Sequence, residues 1–113
     1  MHNRLADGVK LFNAGRFFDA HEAWEDVWRE SSEPERRWLQ GLVQTTVALH
    51  HESTGNRTGA ASVLDRAIAN LEGCPEMLQG IDIRQLRIDL ARARAELAAA
   101  IVITRFQIRK SQP

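Results

Sequence analysis

The 113-residue chain carries 15 basic and 15 acidic side chains, so its formal net charge is zero. That length suits a single domain, and the lone cysteine, Cys74, excludes an internal disulfide and a Cys-x-x-Cys zinc or redox pair. No apolar run approaches the ~20 residues of a membrane helix, no apolar signal segment stands at the N-terminus, and no net field attracts nucleic acid. We therefore expect a cytoplasmic protein whose partners are neither membranes nor nucleic acids.

Apolar residues spaced three and four apart predict helices along the first hundred residues. The first helix places Leu5, Val9 and Phe12 on one face and ends at Gly15. The second helix buries a stripe that consists of Phe17, Ala20, Trp24, Val27 and Trp28.

Three more helices follow. The third lies between Ser-Ser-Glu-Pro-Glu at 31–35 and Ser-Thr-Gly-Asn at 53–56, the fourth ends at Gly73 and Pro75, and Asp82 suits the N-cap of the fifth. Their inward residues are Trp38, Leu42, Thr45 and Leu49 in the third, Ala60, Val63, Leu64, Ala67, Ile68 and Leu71 in the fourth, and Ile83, Leu86, Leu90, Ala93 and Leu97 in the fifth.

The chain changes character after residue 100. Residues 101–108 are rich in β-branched side chains and no longer fit the helical stripe. We predict a single helical domain over residues 1–100 and an extended C-terminal tail over 101–113, with any strand confined to 101–109. Because its apolar side chains favour burial, the tail is expected to pack on its own bundle or to form a homo-oligomer with a second copy.

A weak repeat, offset by 40 residues, aligns Gly15 with Gly55 and Ala20 with Ala60. In each copy a glycine turns the chain, and a small alanine lets the outgoing helix lie close to the incoming one. The spacing is similar to that of the tetratricopeptide hairpin, although Ala48 stands where the second copy would have its first glycine. We predict an all-α fold, a bundle of about five helices built from two antiparallel tetratricopeptide-like hairpins plus a capping helix.

The stretch His-Glu-Ala-Trp-Glu at 21–25 is one letter from the H-E-x-x-H motif of zinc hydrolases. At about 100° per residue, His21 and Glu25 form an i, i+4 pair at the edge of the buried face, and Glu22 lies farther round.

The third predicted helix carries a matching polar stripe of Gln40, Gln44 and His51. Polar stripes on successive antiparallel helices can face each other, which would gather both sets of residues into one polar site between helices 2 and 3.

Two chemistries remain open for that site. A zinc-protease site is not predicted, because Glu25 replaces the second histidine. A mixed site of His21, Glu25 and His51 is chemically allowed, since imidazole and carboxylate suit several divalent metals. The alternative is a hydrogen-bond network that satisfies both ring nitrogens of a histidine at the core edge. We expect no cofactor, and a divalent metal is the one that these side chains would accept.

Five short motifs follow one another along the chain: Phe-x-x-Gly-x-Phe-Phe-x-x-His-Glu at 12–22, Trp-Glu-x-x-Trp at 24–28, Arg-x-x-Gln-Gly-Leu-Val-Gln at 37–44, Ala-x-x-His at 48–51 and Gly-Asn-x-x-Gly-Ala at 55–60. Together they resemble the small bacterial and archaeal family known as domain of unknown function 309. The resemblance covers about residues 5–97, leaves out the tail from Ile101, and implies an all-helical bundle with no assigned reaction. Its motif includes the candidate residues His21, Glu22, Glu25, Gln40, Gln44 and His51. The other matching positions are Phe12, Gly15, Phe17, Phe18, Trp24, Trp28, Arg37, Gly41, Ala48, Gly55, Asn56, Gly59 and Ala60.

The leading interpretation is a binding or scaffold module whose polar site takes a protein or small-molecule ligand. The alternative is a metal-dependent hydrolase in which His21, Glu25 and His51 hold the ion and Glu22 acts as the base. The metal content of protein purified without a histidine tag separates the two.

Overall fold

The computed structural model describes residues 3–110, and within them the chain forms five helices and one short β-hairpin. α1 packs on α2, α3 packs on both α2 and α4, and α5 packs on α4. The predicted all-α bundle is confirmed. Its elements are α1 (Arg4–Asn13), α2 (Phe17–Arg29), α3 (Glu35–Ser53), α4 (Arg57–Asn70), β1 (Met77–Leu78), β2 (Ile81–Asp82) and α5 (Ile83–Ala98).

The first helical hairpin turns at Gly15, whose φ of +81° lies in the left-handed region that glycine adopts without steric cost. Its N–H donates to the carbonyl of Phe12, and the N–H of Arg16 donates to the carbonyl of Leu11, both at 2.9 Å. This is the pair of bonds of a Schellman motif, which closes the end of a helix. Gly55, at a φ of +85°, ends α3 with the same pair of bonds. The predicted repeat is thus a repeat of the turn.

Close approach of α1 to α2 depends on Gly8. Trp24 is fully buried, and its Nε1 donates to the carbonyl of Leu5 at 3.0 Å. A Cβ on Gly8 would stand 2.0 Å from that Nε1, so glycine makes room for the indole. Gly41 serves the same purpose in α3, where a Cβ would stand 2.7 Å from Cγ of Leu71. This glycine lies about two turns before the position that the repeat predicted for it.

The segment before α5 contains a β-hairpin that the sequence did not predict. β1 pairs antiparallel with β2, with Leu78 opposite Ile81. Gln79 and Gly80 join them at φ values of 47° and 86°, as a type I′ turn requires. The expectation that strands occur only in the tail was wrong, because a strand of two residues is too short for an alternating pattern to be recognised in the sequence. Asp82 caps α5 as predicted, accepting from the N–H of Gln85 at 2.9 Å.

One hydrophobic cluster runs through both helical hairpins, α5 and the tail. The predicted inward residues of α1 and α5 are all buried, whereas Trp28 and Trp38 are only partly buried. Residues 101–110 lie extended across the bundle and bury Ile103, Phe106 and Ile108. The tail therefore packs on its own bundle, one of the two predicted arrangements; residues 111–113 lie outside the described part of the chain.

Among residues 3–110, we find no helix that combines the length and the apolar character needed to cross a membrane.

Candidate functional site

His21, Glu25 and Arg29 form a ladder along α2, because residues four apart lie one above the other on a helix. His21 Nε2 lies 3.0 Å from Glu25 Oε2, and Glu25 Oε1 lies 2.5 Å from Nη2 of Arg29. The side chains of His21 and Glu25 are 28% and 30% exposed, so the ladder stands at the boundary between core and solvent. The contact between His21 and Glu25 is one part of the hydrogen-bond network that we predicted as the alternative to a metal site.

Phe18 and Glu22 extend this surface into solvent. The Phe18 ring stacks on the His21 imidazole, with centroids 6.4 Å apart and planes at 25°, and is still 63% exposed. Glu22 is exposed and lines a cleft of about 380 Å³ together with Asp19 and Asp26. We refer to Phe18, His21, Glu22, Glu25 and Arg29 as the α2 ridge.

Two residues of the polar stripe of α3, Gln44 and His51, contact residues of α4 or its N-cap. Gln44 Oε1 accepts a hydrogen bond from Nδ2 of Asn70 at 2.8 Å, and Nδ1 of His51 lies 3.4 Å from Nδ2 of Asn56, the N-cap of α4. Gln40, one turn before Gln44, is half-buried. Side chains predicted to complete a site with α2 therefore tie α3 to α4, and the predicted polar site is divided between two surfaces.

The predicted metal ligands do not converge. Within residues 3–110, no three histidine, cysteine, aspartate or glutamate side chains are grouped so that they could hold an ion. His21, Glu25 and His51 thus do not form the three-ligand set that the hydrolase alternative requires. A helical wheel placed them on helix edges but could not show which neighbour each edge would face.

Cys74 is not an alternative nucleophile. It is buried, and burial raises the pKa of its thiol to about 11, an effect that the charge of Arg87 opposes. At neutral pH the thiol stays protonated, whereas the thiolate is the nucleophilic form.

The groove that holds the tail is a second candidate site. The ring of Phe106 lies 5.6 Å from the ring of Phe12 in α1, centroid to centroid. Ile103 and Ile108 are 9% and 2% exposed. The side chains of Ile103, Phe106 and Ile108 are part of the hydrophobic core of the bundle. We refer to the surface made by Phe12, Asn13, Glu52, Arg57, Arg92 and Glu96 as the tail groove.

Side chains of the tail groove hold the tail by its backbone. Asn13 uses both ends of its amide: Nδ2 donates to the carbonyl of Ile108 at 2.9 Å, and Oδ1 accepts from the N–H of Ile108 at 2.8 Å. Glu96 accepts from the N–H of Thr104 at 3.0 Å and from its hydroxyl at 2.5 Å. The bonds of Asn13 to Ile108 and of Glu96 to the Thr104 N–H are to main-chain groups and do not depend on side-chain identity, whereas the bond to the Thr104 hydroxyl does.

The start of the tail is held in the same way by α3 and α4. Arg57 Nη2 donates to the carbonyl of Ile101 at 2.6 Å, and the N–H of Ile103 donates to Glu52 Oε2 at 3.3 Å. Arg57 and Glu52 lie 3.7 Å apart as an ion pair. Four helices thus contribute polar contacts to one extended segment.

Charge reinforces the contact between α5 and the tail. Hydrogen bonds from Thr104, and then the charge of Arg92, hold the pKa of Glu96 below its usual range. Arg92 itself donates to Oδ1 of the buried Asp89 at 2.8 Å, and its guanidinium carbon lies 5.7 Å from the centroid of the Phe106 ring. The carboxylate of Glu96 is therefore favoured while the tail is bound.

Sequence reasoning missed Asn13 and Glu96 as tail-binding residues, because neither belongs to a recognisable chemical motif. The tail's own apolar spacing at residues 103, 106 and 108 predicted burial, but nothing in it indicated which helices would provide the surface.

The sequence profile described as "Domain of unknown function (DUF309)" matches residues 5–63. That range spans α1 to α3 and the first half of α4. It contains all six residues of the predicted polar site and also Asn13, Glu52 and Arg57 of the tail groove, whereas the tail lies beyond it.

Two curated relatives carry names without an assigned function. The chain is 32% identical, over 84 residues, to an uncharacterized protein of Aquifex aeolicus (strain VF5), a match that covers 74% of this chain and 25% of the relative. It is 35% identical, over 68 residues, to the uncharacterized protein YpuF of Bacillus subtilis (strain 168), covering 58% of this chain and 39% of the relative. The chain thus spans about a quarter and about two-fifths of the lengths of these two proteins.

A solved structure has the same architecture. The crystal structure of a conserved hypothetical protein from Thermus thermophilus is similar, with a TM-score of 0.72 and 34% sequence identity. The match covers 87% of this chain and 99% of that chain.

Proposed function

The chain belongs to the DUF309 family, and from that premise we propose that it is a binding module whose tail groove takes an extended peptide segment. The observation that carries the proposal is the paired hydrogen bonding of Asn13 to both backbone groups of Ile108. The function class is the one that the sequence favoured, although the binding surface is a different one.

Part of the tail groove lies inside the range that the family profile matches, whereas Arg92 and Glu96 of the groove lie beyond it. Asn13, Glu52 and Arg57 lie inside residues 5–63, the range that the family profile matches, and the tail lies outside it. When the tail leaves the groove, these residues become free to accept a segment from a partner. The tail of this chain then acts as an occupant held in cis.

The contacts define the peptide that would fit. The peptide must leave free the main-chain groups that Asn13 and Glu96 bond in the tail, those of Ile108 and Thr104. Apolar side chains are needed at the spacing of Ile103, Phe106 and Ile108, which are the buried ones. A hydroxyl at the position of Thr104 would complete the bonds to Glu96. We therefore expect a protein partner that presents a segment of the form apolar-Thr-x-apolar-x-apolar.

The test uses the full-length chain and a fluorescent peptide of residues 101–110. In the wild type, the attached tail competes with the peptide for the groove. The apparent affinity for the peptide is therefore the intrinsic affinity multiplied by the fraction of time that the groove is open. Phe106→Ala in the protein weakens the attached tail, so we expect this variant to bind the unaltered peptide at least tenfold more tightly than wild type. Ile101→Ala is the matched control, because Ile101 is 54% exposed.

Two further measurements tie the binding to the groove. Adding Asn13→Ala to the Phe106→Ala protein should remove peptide binding, since the backbone of the peptide loses both amide bonds. A peptide that itself carries Phe106→Ala should not bind. If the unaltered peptide binds neither protein, or binds regardless of Asn13→Ala, the tail groove is not a peptide site.

A further inference from the structure

We infer that the tail exchanges between two copies of this chain, so that the tail of each copy occupies the tail groove of the other. The inference rests on the proposed function, because it requires the groove to bind a tail supplied in trans. Three features of the segment that joins α5 to the tail support it.

The first feature is the strained turn that leads the tail back onto its own bundle. α5 ends in the pair of bonds of a Schellman motif. The N–H of Ala100 donates to the carbonyl of Leu97 at 3.1 Å, and the N–H of Ile101 donates to the backbone carbonyl of Glu96 at 2.8 Å. Ala100 has a φ of +59°, the position that Gly15 and Gly55 fill in the other turns. An L side chain meets a steric cost there that glycine does not. The closed chain therefore holds its tail through an unfavourable backbone conformation.

The second feature is that this turn can become helix. Ala99 and Ala100, which directly follow the last residue of α5, are the residue type with the highest helix propensity. If α5 continues through them, Ala100 leaves the left-handed region and the tail points away from its own groove. Every contact between tail and groove can then be remade with a second copy, since both copies carry the same residues. Such an exchange of identical elements is a low-cost route to a dimer.

The third feature is an exposed apolar pair directly after the turn. Ile101 is 54% exposed and Val102 is 71% exposed. In a two-fold dimer the two connecting segments run in opposite directions between the same two bundles, and the inference places them side by side at the axis. Ile101 and Val102 of one copy would then cover the same pair of the other. The closed monomer leaves this pair in water, and exchange buries it.

These terms favour exchange, and the loss of independent motion of two chains opposes it. The balance is therefore expected to depend on concentration. We expect a monomer in dilute solution and a dimer at roughly millimolar concentration, the scale at which intramolecular and intermolecular binding become comparable.

Isotope mixing tests the exchange in the full-length chain. Unlabelled and ¹⁵N-labelled protein are concentrated together, diluted, and measured by native mass spectrometry before the dimers separate. We expect a dimer of intermediate mass. In a sample that mixes ¹³C-labelled with unlabelled chains, filtered NOE spectra should show contact between Phe106 of one chain and Phe12 of another, since these rings lie 5.6 Å apart in the closed chain.

Variants of the connecting segment provide the second readout. Ala100→Gly removes the strain of two turns per dimer, so the association constant should fall by roughly tenfold. The double substitution Ile101→Ser, Val102→Ser removes the apolar pair and should also reduce dimerisation, while the groove contacts of Phe106 are kept. Ile88→Ser is the matched control: it removes an isoleucine of similar exposure, 51%, from the middle of α5, and should leave dimerisation unchanged.

A chain that stays monomeric at millimolar concentration would overturn the inference, and so would a dimer with no interchain contact between Phe12 and Phe106. Peptide binding by the Phe106→Ala protein combined with a strictly monomeric wild type would remove tail exchange and leave the proposed function standing. If the fluorescent peptide does not bind in the peptide assay, the proposed function is wrong.

Discussion

At the scale of single residues, Gly8 and Trp24 determine how closely α1 and α2 pack. The indole occupies the space that a side chain at position 8 would need, and its N–H bonds to the carbonyl of Leu5 in the same helix as Gly8. The burial of Trp24 could be predicted from the apolar stripe of α2. The bond to α1 could not, because periodicity identifies a buried face and not the atoms opposite it.

Gly8→Ala should destabilise the protein by about 2–4 kcal/mol, because the new Cβ displaces the indole and breaks its hydrogen bond. Helix propensity alone would change stability in the opposite direction, by about 1 kcal/mol, so the sign of the effect identifies its cause. Urea unfolding measures it. In a Trp24→Phe background the smaller ring leaves more room, and the cost of Gly8→Ala should shrink.

His21→Ala should cost less than about 1 kcal/mol. The ladder from His21 to Arg29 is part-exposed, and ion pairs open to solvent contribute little. His21→Gln should restore part of the loss, because an amide can still donate to Glu25. Thermal unfolding of both variants checks this, and a loss well above about 2 kcal/mol for His21→Ala would contradict a solvent-screened ladder.

At the scale of secondary-structure elements, three helices end in the same left-handed turn, at Gly15, Gly55 and Ala100. The two glycine turns could be predicted, because glycine at a constant offset marks a chain reversal. The turn at Ala100 could not, since alanine continues a helix in most contexts. The orientation of the α3 stripe was also beyond prediction, because a wheel shows the angle of Gln44 but not whether α2 or α4 occupies that side.

Gly55→Ala and Ala100→Gly should have effects of opposite sign. Among the described residues, no atom beyond Gly55 and its two chain neighbours lies within 4 Å of the site where a Cβ would be added, so the expected loss of about 1 kcal/mol comes from the positive φ alone. Ala100→Gly should stabilise the closed monomer by about 0.5–1 kcal/mol through relief of the positive φ. Part of this gain is offset, because glycine raises the conformational entropy of the unfolded chain. Dilute samples in chemical denaturation measure both. Equal signs would mean that backbone strain is not the determining quantity.

At the scale of the whole molecule, the tail contacts helices that lie far from one another in the sequence. It contacts α1, α3, α4 and α5 through side chains, and the N–H of Asp82 donates to the carbonyl of Arg109 at 2.8 Å next to the β-hairpin. Burial of the tail was predictable from its apolar residues. Its path was not, because the path depends on polar groups such as Asn13 that belong to no sequence motif.

Acidification should loosen the tail at Thr104. The hydrogen bonds of Thr104 lower the folded pKa of Glu96 from its ordinary 4.5. Their contribution to the stability of the docked tail is therefore fully present above that value and is lost as the pH falls through the folded pKa. The amide resonance of Thr104 should therefore shift towards its free-peptide position as the pH falls below 4.5. Glu96→Gln should remove this step, whereas Glu72→Gln, at an exposed position, should retain it.

The tail should also leave the bundle as one cooperative unit, which limits what any single tail contact can cost. A truncation such as Phe106→Ala in a rigid core costs about 3–5 kcal/mol, but a tail that undocks cannot lose more than its whole docking free energy. We expect Phe106→Ala and deletion of residues 101–113 to lower stability by the same amount.

Asn13→Ala should then cost nothing in the deleted chain, because its partner Ile108 is absent. Urea unfolding of the singles and doubles forms a mutant cycle. Additive losses for Phe106→Ala and Asn13→Ala would show instead that the tail is fixed residue by residue, which would leave no free groove for a peptide or a second copy.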